Sequence, residues 1–447
     1  MMIRIDLICC VLMFVVSACN RSLMTVCKVL YPMGETRAVE WEMSTGRQAL
    51  VFTERDSMKE AVIEQTLQNG KYARLWVGAM PYTVWIEPGK AWIASFKWNK
   101  WSFEGKNFDI NHYLNTSHGE QIYFMDYYRI PNSEFRAKLE RVMKAKELVL
   151  QEANLDSQFT GCEMKRLRYI RNQHLACGVV YGEVKDGKME LMEDTRLELQ
   201  KAITEDSTSW EIFEYRESVD KALLALAKMD GLQKSSYDII LDMLNMAVAN
   251  YKDQRLIEYL VNKNVMEYIK AVGVEDSEEL DRIFREQVRD TGLVAAYDKV
   301  YDAGKRLTKG QPAVPFTFED MNGNAVSLSD FRGKYVYIDL WATWCGPCVA
   351  EIPHLQKLEK HFHGRNICFV SISSDKDRKV WMKYVQGQNL SGIQLHMGEN
   401  KEYMKEIHCE GIPRFLLIDQ EGNFINANMT RPSDLETWKV LEGLAGI

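Results

Sequence analysis

The pattern of hydrophobic and polar positions changes character twice along the chain. From about residue 25 to 130, short β-branched and aromatic runs alternate with turn residues, which is typical of strands. From 132 to 308, apolar residues recur at the spacing of amphipathic helices. From 309 onward, buried-type strands alternate with helical stretches, which indicates an α/β domain. The pattern predicts a multidomain protein divided into a leader, a β-rich domain, a helical region and an α/β domain at 1–18, 19–131, 132–308 and 309–447.

Two features of the β-rich region carry specific predictions. Residues 82–86 and 91–96 read as strands on either side of the turn sequence Glu87-Pro88-Gly89-Lys90, so the pattern predicts a hairpin. The aromatic residues that follow are expected to fill one face of a small sheet, and a peptide- or glycan-binding surface is the alternative. These residues are Trp98, Trp101, Phe103 and Phe108.

The N-terminal apolar run, residues 8–16, is shorter than the roughly 20 residues that cross a bilayer and reads as the core of a signal peptide. It ends in Val16-Ser17-Ala18-Cys19, which resembles a bacterial lipobox. The resemblance implies that Cys19 is lipidated and becomes the mature N-terminus of a periplasm-facing, lipid-anchored envelope protein. Asn20 in place of aspartate favours the outer membrane. An ordinary signal peptide or a short anchor is the alternative.

Charge argues against one class of partner. The net charge is −7, and binding to nucleic-acid phosphates needs concentrated Lys and Arg. A nucleic-acid partner is therefore not expected.

The residues with the clearest chemistry are Cys345 and Cys348, within Trp341-Ala342-Thr343-Trp344-Cys345-Gly346-Pro347-Cys348. At a helix N-terminus the macrodipole and free N–H groups favour a thiolate. Cys345 is therefore expected to attack, and Cys348, one turn deeper and more buried, to resolve. A purely structural disulfide or half of a zinc site is the alternative. Zinc would need further ligands, for which Cys368, His361 and His363 are the nearby residues, and we expect neither a metal nor a cofactor.

From about residue 312 to the end, the chain resembles the thioredoxin family, and more narrowly the membrane-tethered envelope thioredoxins that serve cytochrome c maturation. The resemblance implies a thioredoxin fold in which Asp339 is the buried aspartate and Glu351 the acidic residue of the envelope subgroup. It also implies a cis bond before Pro413, with Trp344, Ile412 and Pro413 contacting the substrate.

Asp339 and Glu351 also have physical interpretations of their own. A carboxyl on a core strand is costly unless it is used, and Asp339 could take the proton of Cys348 during exchange. A strand-end aspartate that touches solvent is the alternative. Glu351 lies three residues after Cys348 on the same helix face, where it could tune the cysteines or move a proton, or could be an exposed helix residue.

The resulting hypothesis is a thiol–disulfide oxidoreductase that acts on disulfide-bearing envelope proteins and is re-reduced by a thiol electron donor in the membrane. The Gly-Pro dipeptide implies the reductive direction, with a potential near that of thioredoxin, about −270 mV; an oxidase or an isomerase stays open. A thiol peroxidase is a second alternative, but that family has proline and threonine where this chain has Ile338 and Ala342. A peptide- or glycan-binding lipoprotein with a subordinate redox module is the third. Cys162 and Cys177 could form a disulfide or remain separate thiols.

Overall fold

The structure is a computed structural model that describes residues 24–447 apart from positions 56, 107, 117–121, 123–124, 183, 186–187, 190–193, 231–233 and 400. The signal-peptide and Cys19 predictions therefore lie outside the described residues. The chain separates into two compact units, Met1–Leu260 and Val261–Ile447. No helix in the part that the structure describes is both long enough and apolar enough to cross a bilayer.

The first unit begins with two antiparallel-rich sheets that share one hydrophobic core. Their orders are β4-β5-β1-β8-β9 and β3-β2-β6-β7, and the core includes Val29, Trp41 and Phe96. Buried and half-buried residues alternate along β1, as expected for a strand with one face on a core. The strands are β1 Met24–Pro32, β2 Val39–Met43, β3 Gly46–Ala49, β4 Thr53–Arg55, β5 Met58–Thr66, β6 Lys71–Val77, β7 Met80–Ile86, β8 Ala91–Lys97 and β9 Lys100–Gly105.

The predicted hairpin of residues 82–86 with 91–96 is wrong, because β7 and β8 belong to different sheets. The turn exists, with Gly89 at φ 68°. The edge of β7 is instead occupied by a side chain. Asn111 Oδ1 accepts from the Trp85 N–H at 2.7 Å, and its Nδ2 donates to the Trp85 carbonyl at 3.1 Å. This amide pairs with the backbone N–H and carbonyl of Trp85 at the edge of β7, in place of part of the predicted strand pairing.

The aromatic residues after β8 divide between core and surface. Trp101 and Phe103 are buried in the shared core, which confirms the sheet-face prediction for these two. Trp98 is 95% exposed and Phe108 is partly exposed. The peptide- or glycan-binding alternative stays a prediction.

Helices complete the first unit and pack on β6 through buried charges. The Tyr72 hydroxyl donates a hydrogen bond to Glu163 at 2.6 Å. The Glu214 carboxylate forms ion pairs with Arg74 at 3.3 Å and with Arg166 at 3.0 Å. The helices are α1 Phe108–Asn115, α2 Asn132–Glu152, α3 Ser157–Tyr181, α4 Thr195–Ala202, α5 Phe213–Asp230 and α6 Ser236–Asn250, and α7 Gln254–Ala271 crosses the unit boundary. Two short strands, β10 Val184–Lys185 and β11 Lys188–Met189, form a separate ladder. Short 3-10 turns lie at Met125–Tyr128 and Ser207–Ser209.

The disulfide considered for Cys162 and Cys177 does not form. Both residues lie on α3, fifteen positions apart, and both are free. At 1.5 Å of rise per residue their α-carbons are about 22 Å apart, far beyond the reach of a disulfide.

The second unit contains a seven-stranded mixed sheet with the order β13-β12-β16-β15-β14-β17-β18. Its central strands β14, β15 and β16 are parallel, and β17 runs antiparallel to β14. The elements are α8 Glu278–Gln287, α9 Thr291–Lys305, β12 Thr317–Asp320, β13 Ala325–Ser327, a 3-10 turn Leu328–Phe331, β14 Tyr335–Trp341, α10 Gly346–His361, β15 Ile367–Ser373, α11 Arg378–Gly387, β16 Ile393–His396, α12 Glu402–Glu406, β17 Arg414–Ile418, β18 Phe424–Met429 and α13 Leu435–Glu442.

Both faces of this sheet are covered, which explains why β14 is buried at every position. Even-numbered β14 residues such as Ile338 face a core that includes Met404 of α12. Odd-numbered residues such as Tyr337 face a core that includes Leu355 and Leu358 of α10. The predicted alternation of strands and helices from residue 309 onward is confirmed, and α10 is the crossover between the parallel strands β14 and β15.

Candidate functional site

The two cysteines lie at the start of α10, shortly after the end of β14. Cys345 is the N-cap of α10, and its Sγ accepts a hydrogen bond from the backbone N–H of Cys348 at 3.2 Å. Pro347 lies in the first turn, where a missing N–H has no cost. The local sequence therefore aims one free backbone donor of the first helical turn at the Cys345 sulfur.

Cys345 and Cys348 form a disulfide, with their α-carbons 5.3 Å apart. The expected difference in burial is small, because Cys345 is 5% exposed and Cys348 3%. Their environments differ in another way, since only the Cys345 sulfur caps the helix. The neighbouring Trp344 is 67% exposed and forms the surface beside the disulfide.

The loop before β17 lies against the disulfide. The Ile412–Pro413 peptide bond is cis, as the resemblance implied. The Ile412 carbonyl oxygen lies 3.7 Å from Cys345 Sγ. Both residues of this loop are half-buried, so the structure brings Ile412, Pro413 and the cysteines to one place.

Asp375 holds the turn before the cysteines, and the sequence reasoning missed it. Its carboxylate is buried and accepts from Thr343 N at 3.0 Å, Thr343 Oγ1 at 2.7 Å and Ser373 Oγ at 2.8 Å. The backbone carbonyl oxygen of Asp375 lies 2.8 Å from Nε2 of His396. The available signal was its position just after β15, because polar residues at the carboxyl ends of neighbouring parallel strands converge.

An open groove runs beside Trp344. Its lining includes Asp375, Lys376, Val380 and Lys401. Val380 is 50% exposed, so the groove offers an apolar patch flanked by charges next to the disulfide.

Asp339 is buried in the middle of β14, at 6% exposure. The alternative of a solvent-touching aspartate is therefore wrong. Burial, followed by the charges of Glu359 and Glu351, raises the pKa of Asp339 from 3.8 to about 8, against the opposing hydrogen bond of Ser371. This carboxyl can hold or give up a proton near neutral pH.

Glu351 is also buried, so the alternative of an exposed helix residue is wrong as well. Its carboxylate accepts from Ser433 N at 3.0 Å and from Ser433 Oγ at 2.9 Å. Arg431 Nη1 lies 3.8 Å away. These contacts anchor the first turns of α10 to the segment before α13.

The residues considered for zinc are separated from the cysteine pair. Cys368 is a free thiol on β15, and His361 Nε2 lies 3.4 Å from Glu442. Within the described part of the chain, no group of three or more His, Cys, Asp or Glu side chains is arranged around a possible metal ion.

The Redoxin family matches residues 308–436. This segment is a redoxin domain with a thioredoxin-like fold. The chain is accordingly an oxidoreductase. The match covers the cysteine pair, Asp339, Asp375 and the cis-proline loop of the redoxin domain.

Similar proteins each cover less than a third of the chain. Thiol-disulfide oxidoreductase ResA of Bacillus subtilis is 25% identical over 129 residues, which are 29% of this chain and 72% of ResA. A Bacteroides vulgatus crystal structure assigned as a thiol-disulfide oxidoreductase is 40% identical and covers 31% of this chain and 96% of its own, with a TM-score of 0.30. A thiol:disulfide interchange protein from Bacteroides sp. is 30% identical over 31% of this chain and 92% of its own, with a TM-score of 0.29.

Proposed function

We propose that the protein is a lipid-anchored thiol–disulfide oxidoreductase that reduces disulfides in cell-envelope proteins. The observation that carries the proposal is the Cys345–Cys348 pair at the start of α10, with the Ile412 carbonyl 3.7 Å from the Cys345 sulfur. The similarity to a thiol-disulfide oxidoreductase, ResA, supports the reaction class. The structure corresponds to the oxidised form, which is the product of one reductive turnover.

In the reduced enzyme, Cys345 is the attacking group. Its sulfur lies at the N-terminus of α10 and faces the Cys348 N–H, and both the helix dipole and this donor stabilise a thiolate. The thiolate attacks one sulfur of a substrate disulfide. A bond forms between Cys345 and that sulfur, the substrate S–S bond breaks, and the other sulfur leaves as a thiolate that takes a proton from water.

Cys348 completes the turnover. Its thiol gives its proton to the ionised carboxyl of Asp339, and its sulfur attacks the Cys345 sulfur. The internal disulfide forms, the mixed disulfide breaks, and the substrate sulfur leaves as a thiolate that takes a proton from water. The substrate has then gained two thiols and two electrons from the enzyme. A thiol donor in the membrane then reduces the Cys345–Cys348 bond by the same exchange. Glu351 lies one helical turn beyond Cys348 and is anchored by Ser433. In this proposal its carboxylate adjusts the reactivity of the two cysteines.

Substrate recognition uses the surface around the disulfide. Ile412 presents its backbone beside Cys345, where an extended segment can hydrogen-bond, and Pro413 fixes that loop. The exposed ring of Trp344 offers apolar contact, and the adjoining groove adds Val380 and Lys376. We assign Trp344, Ile412 and Pro413 to substrate binding.

The reductive direction is tested by the reduction potential. The full-length protein is equilibrated with thiol and disulfide buffers, and the fraction oxidised is read by alkylation and mass spectrometry. A value near that of thioredoxin, about −270 mV, supports a reductase, whereas a value of about −120 mV identifies an oxidant and contradicts the reductive direction.

The peroxidase alternative gains no support, because Ile338 and Ala342, at the positions where that family has proline and threonine, are apolar and fully buried.

The location is a separate part of the proposal. Lipidation at Cys19 would hold the enzyme in the cell envelope facing the periplasm, with Asn20 favouring the outer membrane. There it would meet disulfide-bearing proteins of the kind handled in cytochrome c maturation. Mass spectrometry of the protein purified from membranes should find residues 1–18 removed and Cys19 acylated. An intact N-terminus, or cleavage elsewhere, contradicts the lipid anchor.

A further inference from the structure

A row of polar side chains crosses the sheet beneath α10. Asp339 on β14 lies opposite Ser371 on β15, and Ser371 lies opposite Gln394 on β16. Register partners on neighbouring parallel strands point to the same face, so the three side chains lie side by side. Their exposed fractions are 6%, 4% and 7%. Because the same face is otherwise filled by residues such as Phe369 and Leu355, this row is a costly feature that needs an explanation.

The row ends at Glu359, a half-buried carboxylate on α10. Gln394 Nε2 donates to the backbone carbonyl of Ser391 at 2.7 Å, and Ser391 Oγ donates to Glu359. Gly392, at φ 72°, lets the backbone approach this carboxylate, because a Cβ there would lie 2.5 Å from Glu359 Oε1. Polar groups therefore lead from the buried Asp339 to a carboxylate at the margin of the core.

One acceptor within the row lacks a donor. Gln394 Oε1 is buried and has no hydrogen-bond partner among the residues that the structure describes. A protonated carboxyl is a donor, whereas an ionised carboxylate is only an acceptor. Leaving a buried acceptor unpaired costs free energy, so states in which a proton resides in the row are favoured.

The two charged groups that act on Asp339 are carboxylates of α10, Glu359 and Glu351. Its neighbours on the strands are uncharged: the Tyr337 phenol on β14, the Ser371 hydroxyl on β15 and the ring of Phe415, the register partner on β17. After burial, Glu359 is the leading cause of the raised pKa of Asp339, ahead of Glu351. Burial also raises the pKa of Glu359, opposed by the hydrogen bond from Ser391.

We propose that Glu359 is a positioning residue for proton transfer, linked to Asp339 across this polar row, and that its charge controls when Asp339 accepts and releases the proton of Cys348. The inference rests on the proposed function, in which Asp339 takes that proton. Ionised Glu359 draws the proton from the Cys348 thiol onto Asp339 while the sulfur attacks Cys345. Glu359 then takes a proton from solvent, which weakens that hold, and Asp339 returns its own proton to solvent.

The test replaces Glu359 by glutamine, which keeps the size of the side chain and an acceptor for Ser391. The rate at which Cys348 resolves a preformed mixed disulfide is measured on the full-length protein from pH 5 to 9. Removing a negative charge near Asp339 should lower the pKa of that carboxyl, so the limb of the profile that depends on Asp339 should move by about half to one pH unit toward acid. The carboxyl band of Asp339 in difference infrared spectra should titrate with the same displacement.

Controls separate charge from packing. Glu359→Asp retains the charge and should keep the parental profile, whereas an equal displacement by Asp and Gln would overturn the proposal. Glu402→Gln removes an exposed charge on α12 and should leave the profile in place; an equal displacement there would reduce the effect to net charge and overturn the proposal. Circular dichroism verifies that each variant is folded.

A double variant separates this inference from the proposed function. In an Asp339→Asn background the limb should be absent, and Glu359→Gln should have no further effect. If Asp339→Asn leaves the limb unchanged, Asp339 is not the acceptor, and its role in the proposed function fails together with the role of Glu359. If Asp339→Asn removes the limb while Glu359→Gln leaves it in place, only the role of Glu359 fails.

Discussion

Replacing Asp339 by asparagine should stabilise the redoxin domain at neutral pH, although it removes the proposed proton acceptor. The side chain is 6% exposed, and burial with the charges of Glu359 and Glu351 raises its pKa from 3.8 to about 8. A carboxyl with a raised pKa in the folded state holds its proton more tightly there than in the unfolded chain. Its contribution to stability is therefore complete below about pH 4 and is lost as the pH rises through 8.

The magnitude follows from those two values. The full difference in pKa corresponds to about 6 kcal/mol, and about 4 kcal/mol of this has been lost at pH 7. Asparagine has no charge to bury, so the variant avoids this loss. Exchanging the Ser371 hydrogen bond to the neutral carboxyl for one to an amide offsets about 1 kcal/mol. The expected net gain is about 3 kcal/mol at pH 7 and close to zero at pH 4.

The assay must isolate the redoxin domain from the rest of the chain. Pulsed hydrogen exchange through a urea series, read by mass spectrometry on peptides that cover β14 and β15, gives the free energy of unfolding of this domain. Oxidised parental protein and oxidised Asp339→Asn are compared at pH 4.5 and 7.5, with Glu402→Gln as the exposed control. A variant that is less stable than the parent at pH 7.5, or a difference that does not change with pH, would refute the reasoning.

Three further substitutions test local features. Asp375→Asn puts an amide donor against the Thr343 N–H and should lower stability by about 2 kcal/mol and slow disulfide reduction, measured by urea unfolding and by turnover; unchanged turnover would show that the turn needs no such anchor. Gly392→Ala should cost about 1–3 kcal/mol in the same unfolding assay, because alanine would have to adopt φ 72° with its Cβ 3.2 Å from the Phe369 carbonyl oxygen; a neutral result would contradict this backbone strain. Asn111→Ala should cost about 2–3 kcal/mol in the first unit, seen as faster hydrogen exchange in β7, and protection equal to the parent would argue against the amide as an edge partner.

The sequence predicted the redoxin domain well because its signals are local. The signal of a core strand with its single Asp339 and the signal of the cysteines at a helix start each depend on neighbouring residues. The hairpin of residues 82–86 and 91–96 failed because a turn specifies a reversal and does not specify which edge a strand will pair with.

Other features depend on partners that are distant along the chain. The Ser371 and Gln394 side chains become neighbours of Asp339 only through the register of β14, β15 and β16. The burial of Glu351 depends on Ser433, 82 positions away. Neither pairing leaves a periodicity or a motif in the sequence, so only the folded structure reveals them.

The central claim is disulfide exchange with Cys345 as the attacking group and Cys348 as the resolving one, and trapping of the intermediate tests it most directly. Cys348→Ser removes the resolving thiol and leaves the helix start and Cys345 in place. In the native envelope this variant should accumulate mixed disulfides, seen as adducts on non-reducing gels that disappear with reductant, and Cys345→Ser should give none. A folded and correctly localised Cys348→Ser protein that forms no Cys345-dependent adducts would contradict the mechanism.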